Sequence, residues 1–155
     1  MGCLSQFFHL SLRVFFKMSF PTDPELKKIF QLKNIAVIGC SSNPLKPSHT
    51  VPKYLHENGY NVIPVNPNTT EEIFNKTPCL SLSEIHSPID IVNIFRPSTE
   101  IPSIVDSILK HNGPGVIWMQ SGIQHDASAK IAEKHGNIVI QNKCIMVEHR
   151  RLISP

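Results

Sequence analysis

Short apolar runs alternate with segments of helical spacing along most of the chain. The first run, residues 34–39, is almost continuously apolar, as expected of a strand buried on both faces of a parallel sheet. A small polar loop follows, and residues 49–58 then have the spacing of an amphipathic helix that ends at Gly59. Four more runs predict strands at residues 60–65, 89–95, 116–120 and 137–141.

Helices are predicted before the first strand and between the later ones. Asp23 followed by Pro24 is typical of a helix start, because aspartate caps the first turn and proline fits its first position. The other helices have apolar residues at helical spacing and end at glycines. The predicted helices are residues 24–33, 98–111 and 126–135, with a surface connection at 74–82, one helical turn at 83–85 and a tail at 144–153.

Strands that alternate with helices indicate one α/β domain. We expect a doubly wound, five-stranded, mainly parallel sheet with helices on both faces, spanning residues 21–155. The predicted strand order is 3-2-1-4-5, with right-handed crossovers. Residues 1–20 are rich in Phe and Leu and contain no acidic residue. We interpret them as an N-terminal extension, either disordered or a leader, and prefer an upstream start codon with Met18 as the first residue of the protein itself.

Composition narrows the function classes. With 155 residues, 41% hydrophobic, the chain is long enough to bury a substantial core. A net charge of +3 suits a small anionic ligand but is too weak to indicate nucleic-acid binding. The four cysteines lie far apart and form no Cys-x-x-Cys pair, so we expect reduced thiols in a cytoplasmic protein and no metal site. No membrane association is expected of the domain.

The polar residues that follow the strands predict a ligand site. In doubly wound folds the ligand lies beyond the carboxyl ends of the strands, where the strand order reverses, here between strands one and four. The candidate residues are Gly39, Ser41, Ser42, Lys46, Pro47 and Ser48 after strand one, Val65, Asn66 and Pro67 after strand two, Phe95 and Arg96 after strand three, and Gln120, Gly122 and Ile123 after strand four.

The loop after the first strand departs from the dinucleotide fingerprint, which requires three glycines. Here Gly39 is followed by Ser41 and Pro44 at the other two positions, so the backbone cannot approach a pyrophosphate in the usual way. Serine hydroxyls, the free N–H groups of a helix start and the Lys46 ammonium favour an anion instead. The alternative is that Ser48 caps the helix and the other serines satisfy the turn backbone.

The ends of the second and third strands give the next indications. Dinucleotide enzymes place Asp or Glu after the second strand to hold the ribose, and this chain has Asn66, which disfavours NAD. Asn66 suits a purine edge or a ribose, or alternatively an Asx-turn that ends the strand. Arg96 suits a phosphate and Phe95 a stacked ring, with a solvated arginine and a core phenylalanine as the alternatives.

No catalytic centre is evident. Cys40 and Cys144 are candidate nucleophiles, but neither has a base and an acid in an evident arrangement. We therefore assign no catalytic and no metal-binding residue, and favour a binding module over an enzyme. The alternatives left open are an NAD(P)-type oxidoreductase, a thiol-dependent acyltransferase that uses Cys40 or Cys144, and a regulatory module that needs a partner chain.

The same residues carry a resemblance to a known family. The chain resembles the CoA-binding domain family of small stand-alone proteins, related to the N-terminal domain of the succinyl-CoA synthetase alpha subunit. The resemblance implies a Rossmann-like fold and coenzyme A as the ligand. It puts the CoA phosphates near residues 39–42 and 46–48, the adenosine near 65–67, and the pantetheine arm near 95–96 and 120–123. The matching stretches are residues 37–41, 46–48, 59–67, 90–96, 118–123 and 144–148.

Two features limit what the resemblance implies. The chain lacks the ligase's second domain with its phosphorylated histidine, so ligase activity by this chain alone is not expected. Cys40 also stands where an aliphatic residue is more usual after the glycine, and Pro97 follows Arg96 where a second arginine is common. The expectation is therefore a protein that binds CoA or an acyl-CoA without a chemical step.

Overall fold

Five parallel strands form one sheet, in agreement with the apolar runs of the sequence. The computed structural model describes residues 20–111 and 113–153. The proposed N-terminal extension therefore lies outside the described residues, except for Phe20. The strands are β1 (Asn34–Ile38), β2 (Asn61–Val65), β3 (Ile91–Ile94), β4 (Val116–Met119) and β5 (Ile138–Ile140), paired in the order β2-β1-β3-β4-β5.

Helices cover both faces of this sheet. They are α1 (Asp23–Ile29), α2 (Pro47–Glu57), α3 (Ile101–Lys110), α4 (Asp126–Lys134) and α5 (Ile145–Leu152), with single 3₁₀ turns at Leu82–Glu84 and Ser98–Glu100. One buried cluster joins α1, α2 and α5 to the sheet, and a second joins α3 and α4 to the opposite face. The five-stranded Rossmann-like α/β fold is confirmed.

Burial on both faces explains the apolar runs. In β1, Ile35 and Val37 belong to the cluster under α1, α2 and α5, and Ala36 belongs to the cluster under α3 and α4. Successive side chains of a strand point to opposite faces, so a strand covered on both sides is apolar at most of its positions. Trp118 of β4 is likewise fully buried, as its place inside a strand predicts.

The predicted strand order 3-2-1-4-5 is wrong. β3 pairs with β1, and β2 is an edge strand whose outer side is occupied by a short segment around Cys79. Cys79 N donates to Pro64 O at 2.9 Å, and Asn66 N donates to Cys79 O at 2.9 Å. Pro64 has no N–H to donate to a further strand on the outer side of β2, and prolines within strands are therefore confined to sheet edges. The order therefore reverses between β1 and β3, not between strands one and four.

The predicted tail at residues 144–153 is wrong as well, because most of it forms α5. Ile145, Glu148 and His149 are buried at the i, i+3, i+4 spacing of a helix face. The charged run that includes Glu148 and His149 masks this periodicity in the sequence. None of the helices in the described part of the chain is long and apolar enough to cross a membrane.

Two helix starts also differ from the predictions. Helix α1 is capped by Thr22 rather than Asp23, since the Glu25 carboxylate accepts hydrogen bonds from Thr22 N at 2.8 Å and from its hydroxyl at 2.9 Å. Helix α2 begins at Pro47, with Lys46 in the cap position, so Ser48 is not the cap. The N-terminus of α2 has no side-chain cap.

Candidate ligand-binding site

A cleft of about 440 Å³ opens at the carboxyl edge of the sheet, on the face covered by α3. It lies where β1, β2 and β3 end, beside the point at which the strand order reverses. Five of the predicted site residues line it, namely Gly39, Val65, Asn66, Pro67 and Arg96. The cleft is therefore the place where residues from three separate strand ends meet.

Gly39 is required where β1 leaves the sheet. Its φ is +82°, and a Cβ added there would lie 2.9 Å from Arg96 Cδ and 3.0 Å from Phe95 O. Both the backbone conformation and the close approach of the β3 exit exclude a larger residue. The first glycine of the loop thus allows the β1 and β3 exits to touch at the mouth of the cleft.

Arg96 is oriented across the cleft by Glu100, which also lines it. Arg96 Nε donates to Glu100 Oε2 at 2.5 Å, and Arg96 Nη2 donates to Glu100 Oε1 at 2.9 Å. The bonded guanidinium lowers the pKa of Glu100, and the carboxylate raises the pKa of Arg96. Both groups therefore stay charged near neutral pH, which leaves a preoriented guanidinium at the edge of the site.

Asn66 fastens the end of β2 to the loop after β1. Its Nδ2 donates to Cys40 O at 2.8 Å, and its Oδ1 accepts from Asn68 N at 2.8 Å. The second bond is an Asx-turn, the alternative that the sequence left open. In the structure the Asn66 side chain organises the cleft wall and is also part of its lining.

The loop between β1 and α2 is ordered by hydrogen bonds among its own backbone and side-chain atoms. Ser41 N donates to Ser48 O at 3.0 Å, Asn43 N donates to Ser41 Oγ at 3.1 Å, and Leu45 N donates to Asn43 Oδ1 at 3.0 Å. Lys46 and Pro47 are exposed, whereas Ser41, Ser42 and Ser48 are half-buried. These residues surround the uncapped N-terminus of α2 but are not part of the cleft lining.

Phe95 and the candidates after β4 lie outside the cleft. Phe95 packs against the cluster under α1, α2 and α5, which is the core alternative for this residue. Gln120 is 5% exposed, and its Oε1 accepts from Asn93 Nδ2 at 3.1 Å and from Ile145 N at 2.9 Å. Gly122 is exposed with φ +82°, and Ile123 packs against the α3 and α4 cluster.

Comparison with known proteins decides the family. The model of the CoA binding domain matches residues 33–150, which include every strand of the sheet and all the candidate site residues. The chain belongs to the CoA-binding domain family. The family resemblance based on the sequence motifs is thereby confirmed.

Relatives of this CoA-binding domain occur both alone and within longer proteins. The uncharacterized protein YneT of Bacillus subtilis is 40% identical over 133 residues, which are 85% of this chain and 97% of YneT. A solved structure from Thermus thermophilus has 40% identity and a TM-score of 0.82, and the match covers 86% of this chain and all of that one. The ADP-forming acetate–CoA ligase II of Archaeoglobus fulgidus is 28% identical over 74% of this chain and 19% of the ligase.

Sequence reasoning missed part of the cleft of this CoA-binding domain. The missed lining residues include Leu80 and Leu82 from the segment before β3, Glu100 from the turn before α3, and Ser103, Ile104 and Ser107 of α3. Leu80, 56% exposed, contributes an apolar side chain to the lining. Ser103 and Ser107 lie four residues apart on α3, so they share one helix face. This spacing of two serines was the feature of the sequence from which that wall of the cleft could have been predicted.

The cysteines of the domain differ in their exposure, and burial argues against nucleophilic chemistry at Cys40. Cys40 is fully buried, and burial raises the pKa of its thiol to about 12. Cys144 occupies the cap position of α5 and packs partly against the core. Within residues 20–111 and 113–153, no group of three or more His, Cys, Asp or Glu side chains is arranged to hold a metal ion.

Proposed function

We propose that this protein binds coenzyme A or an acyl-CoA as a stand-alone module, without a catalytic step. The observation that carries the proposal is the juxtaposition of two complementary surfaces at Gly39. On one side of Gly39 lies the cleft of about 440 Å³, and on the other the loop leads to the uncapped N-terminus of α2. A ligand with a ring system next to a diphosphate matches this arrangement.

The adenosine end would occupy the cleft. Val65, Leu80 and Ile104 provide apolar walls, and Asn66 and Ser103 provide hydrogen-bonding groups. Pockets for small ligands are lined in this way, with few polar groups among apolar surface. Pro67 would contact the same end.

The phosphates would lie at the start of α2. The start of α2 offers an anion the Ser48 N–H and the positive end of the helix dipole, since Pro47 has no N–H and His49 N and Thr50 N donate to Lys46 O. Ser41, Ser42 and Ser48 add hydroxyl donors around it, and the exposed Lys46 adds a mobile positive charge. Arg96, already oriented by Glu100, would approach a phosphate from the cleft side.

The pantetheine arm would follow the edge past Phe95 to the exposed turn at Gly122 and Ile123, below which Gln120 is buried. The alternatives are not favoured. Asn66 provides no carboxylate for the ribose of NAD, and the fully buried Cys40 is a poor acyl acceptor. The free thiols of Cys40, Cys79 and Cys144 fit the proposed cytoplasmic setting.

Calorimetric titration of the full chain with CoA, dephospho-CoA and NAD tests the proposal. We expect CoA to bind more tightly than dephospho-CoA, because the 3′-phosphate adds charge at a basic site, and NAD to bind most weakly. A folded protein that binds none of the three, or that prefers NAD, contradicts the proposal.

Lys46, at the cap position of α2, and Lys53, within the helix, provide a matched pair of variants. Lys46→Ala should weaken CoA binding about fivefold, because it removes a charge worth about 1 kcal/mol beside the proposed phosphate position. Lys53→Ala removes the same charge from the exposed Lys53–Glu57 pair farther along the helix and should leave the affinity unchanged. Equal effects of the two variants would mean that only net charge matters and that the α2 start is not the phosphate site.

A further inference from the structure

A tight turn before the Cys79 segment has an unusual backbone. Phe74 and Asn75 have φ values of +51° and +61°, and Ile73 and Lys76 close the turn with hydrogen bonds of 2.9 and 3.1 Å between their backbones. A bulky aromatic residue rarely adopts positive φ, so surrounding contacts must offset its strain. Those contacts indicate what the turn is for.

The Phe74 ring lies between two histidines of α2. Its centroid is 5.1 Å from that of His49 and 5.3 Å from that of His56, with which it is stacked at 15°. His49 and His56 are seven residues apart, two helical turns along the same face. The turn is thereby attached to α2.

The same turn is attached to β2. Lys76 Nζ donates to Val62 O at 2.8 Å and also to Asn61 Oδ1. Residues 73–76 therefore bridge the strand that ends at the cleft and the helix that begins at the loop after β1. These are the two elements whose ends form the proposed site.

His49 extends this bridge into the loop. Its Nδ1 lies 2.7 Å from Ser41 O, and because a carbonyl oxygen only accepts, the imidazole donates this hydrogen bond. A carbonyl oxygen that faced a bound phosphate would repel it. The hydrogen bond from His49 keeps the Ser41 carbonyl oxygen directed at the imidazole. A separate hydrogen bond, from Ser41 N to Ser48 O, fixes the amide of the same residue.

We propose that His49 is a positioning residue, held in place by Phe74, that presets the loop between β1 and α2 for an anion. The inference rests on the proposed function, in which this loop receives the CoA phosphates. His56 stacks on the same Phe74 ring but has no hydrogen bond to the loop. Variants of His49 and His56 therefore distinguish an effect on the stability of the fold from an effect on the conformation of the loop.

Three variants of the full chain test the inference: His49→Ala, His56→Ala and His49→Asn. His49→Ala should weaken CoA binding about tenfold, the effect of losing one well-placed hydrogen bond. His56→Ala should change it less than about twofold, since the ring keeps its contact with His49. Asparagine places a side-chain N–H near the position of the imidazole Nδ1, so His49→Asn should recover most of the affinity.

Amide hydrogen exchange of residues 41–48 is the second readout and needs no ligand. Exchange in this loop should be faster in His49→Ala and unchanged in His56→Ala. Equal CoA affinities and equal loop exchange in the two alanine variants would overturn the inference. A wild-type protein that binds no CoA would refute the proposed function alone, because loop exchange still shows whether His49 positions the loop.

Discussion

Two polar clusters at the carboxyl edge of the sheet face in opposite directions. The open cluster, Gly39, Asn66 and Arg96, lines the cleft where β1, β2 and β3 end. The closed cluster, Asn93 within β3 and Gln120 directly after β4, is buried beneath the start of α5. Each cluster contains polar residues at or next to the ends of apolar strands, yet only the open cluster is accessible to a ligand.

The covering helix makes the difference. Gln120 Oε1 accepts the backbone N–H of Ile145 at 2.9 Å, so the closed cluster uses its polarity to fix the first turn of α5. The open cluster has no such helix above it, since α2 starts to one side. A polar residue after a strand thus indicates the edge of the sheet. Whether that residue is exposed or buried depends on whether a helix covers it.

The largest expected effect comes from removing Gln120. Gln120→Leu leaves two buried donors, Ile145 N and Asn93 Nδ2, without their shared acceptor and should lower the free energy of unfolding by about 3 kcal/mol. Urea unfolding monitored by circular dichroism measures the change.

The matched control is Gln124→Leu, because the Gln124 amide bonds only the exposed Asp126 carboxylate. Its effect should stay below about 0.5 kcal/mol. If Gln120→Leu keeps wild-type stability but loses CoA affinity, Gln120 is a ligand-contacting residue, and the division into an open and a closed cluster is wrong at this position.

The sequence predicted the sheet because most strand residues are buried and the strands are therefore visible apolar runs, although Ile138 of the edge strand β5 is 40% exposed. It failed for the strand order, although Pro64 marks β2 as an edge strand. It also failed for α5, whose buried face includes Glu148 and His149, residues that a hydrophobicity pattern counts as exposed.

The site was predictable only as far as strand ends determine it. Gly39, Asn66 and Arg96 follow strands directly and reach the cleft as expected. The cleft wall formed by Ser103 and Ser107 belongs to α3, and its orientation depends on how that helix packs on the sheet. No local pattern contains that information, since it arises from contacts between residues far apart in the chain.

Substitutions at two glycines test how tightly the backbone is packed beside the open cluster and in the turn after β4. Gly39 and Gly122 both have φ +82°, but only Gly39 is crowded, by Arg96 and the Phe95 carbonyl. Gly39→Ala should lower the free energy of unfolding by about 2 kcal/mol, and Gly122→Ala by about 1 kcal/mol, the cost of the left-handed conformation alone.

Thermal and urea unfolding of both variants measure these differences. Gly39→Ala should also weaken CoA binding, since the added methyl group would lie 2.9 Å from Arg96 Cδ and displace the Arg96 side chain from its position in the cleft. Equal stability losses at the two positions would show that Phe95 and Arg96 can shift at little cost to accommodate the added methyl group. That result would argue against a close, fixed contact between the β1 and β3 exits at the cleft.

The smallest expected effect distinguishes the regions by pH. His149 of α5 is 3% exposed, and burial, with a smaller contribution from Lys33, lowers its pKa below the ordinary value of 6.5. Below pH 6.5 the unfolded chain therefore binds more protons at this residue than the folded chain does, so stability falls as the pH drops through this range. Well above pH 6.5 the residue is neutral in both states and the contribution vanishes.

Replacement of His149 should remove that part of the pH dependence. His149→Gln cannot titrate, so its stability should fall less than that of the wild type between pH 7.5 and pH 5.5, as measured by urea unfolding at each pH. His135→Gln, at an exposed position, should retain the wild-type slope. The Arg96–Glu100 pair stays charged throughout this range, because the pKa of Glu100 is lowered. Acidification should therefore loosen the α5 side of the edge first, and an unchanged slope in His149→Gln would refute this.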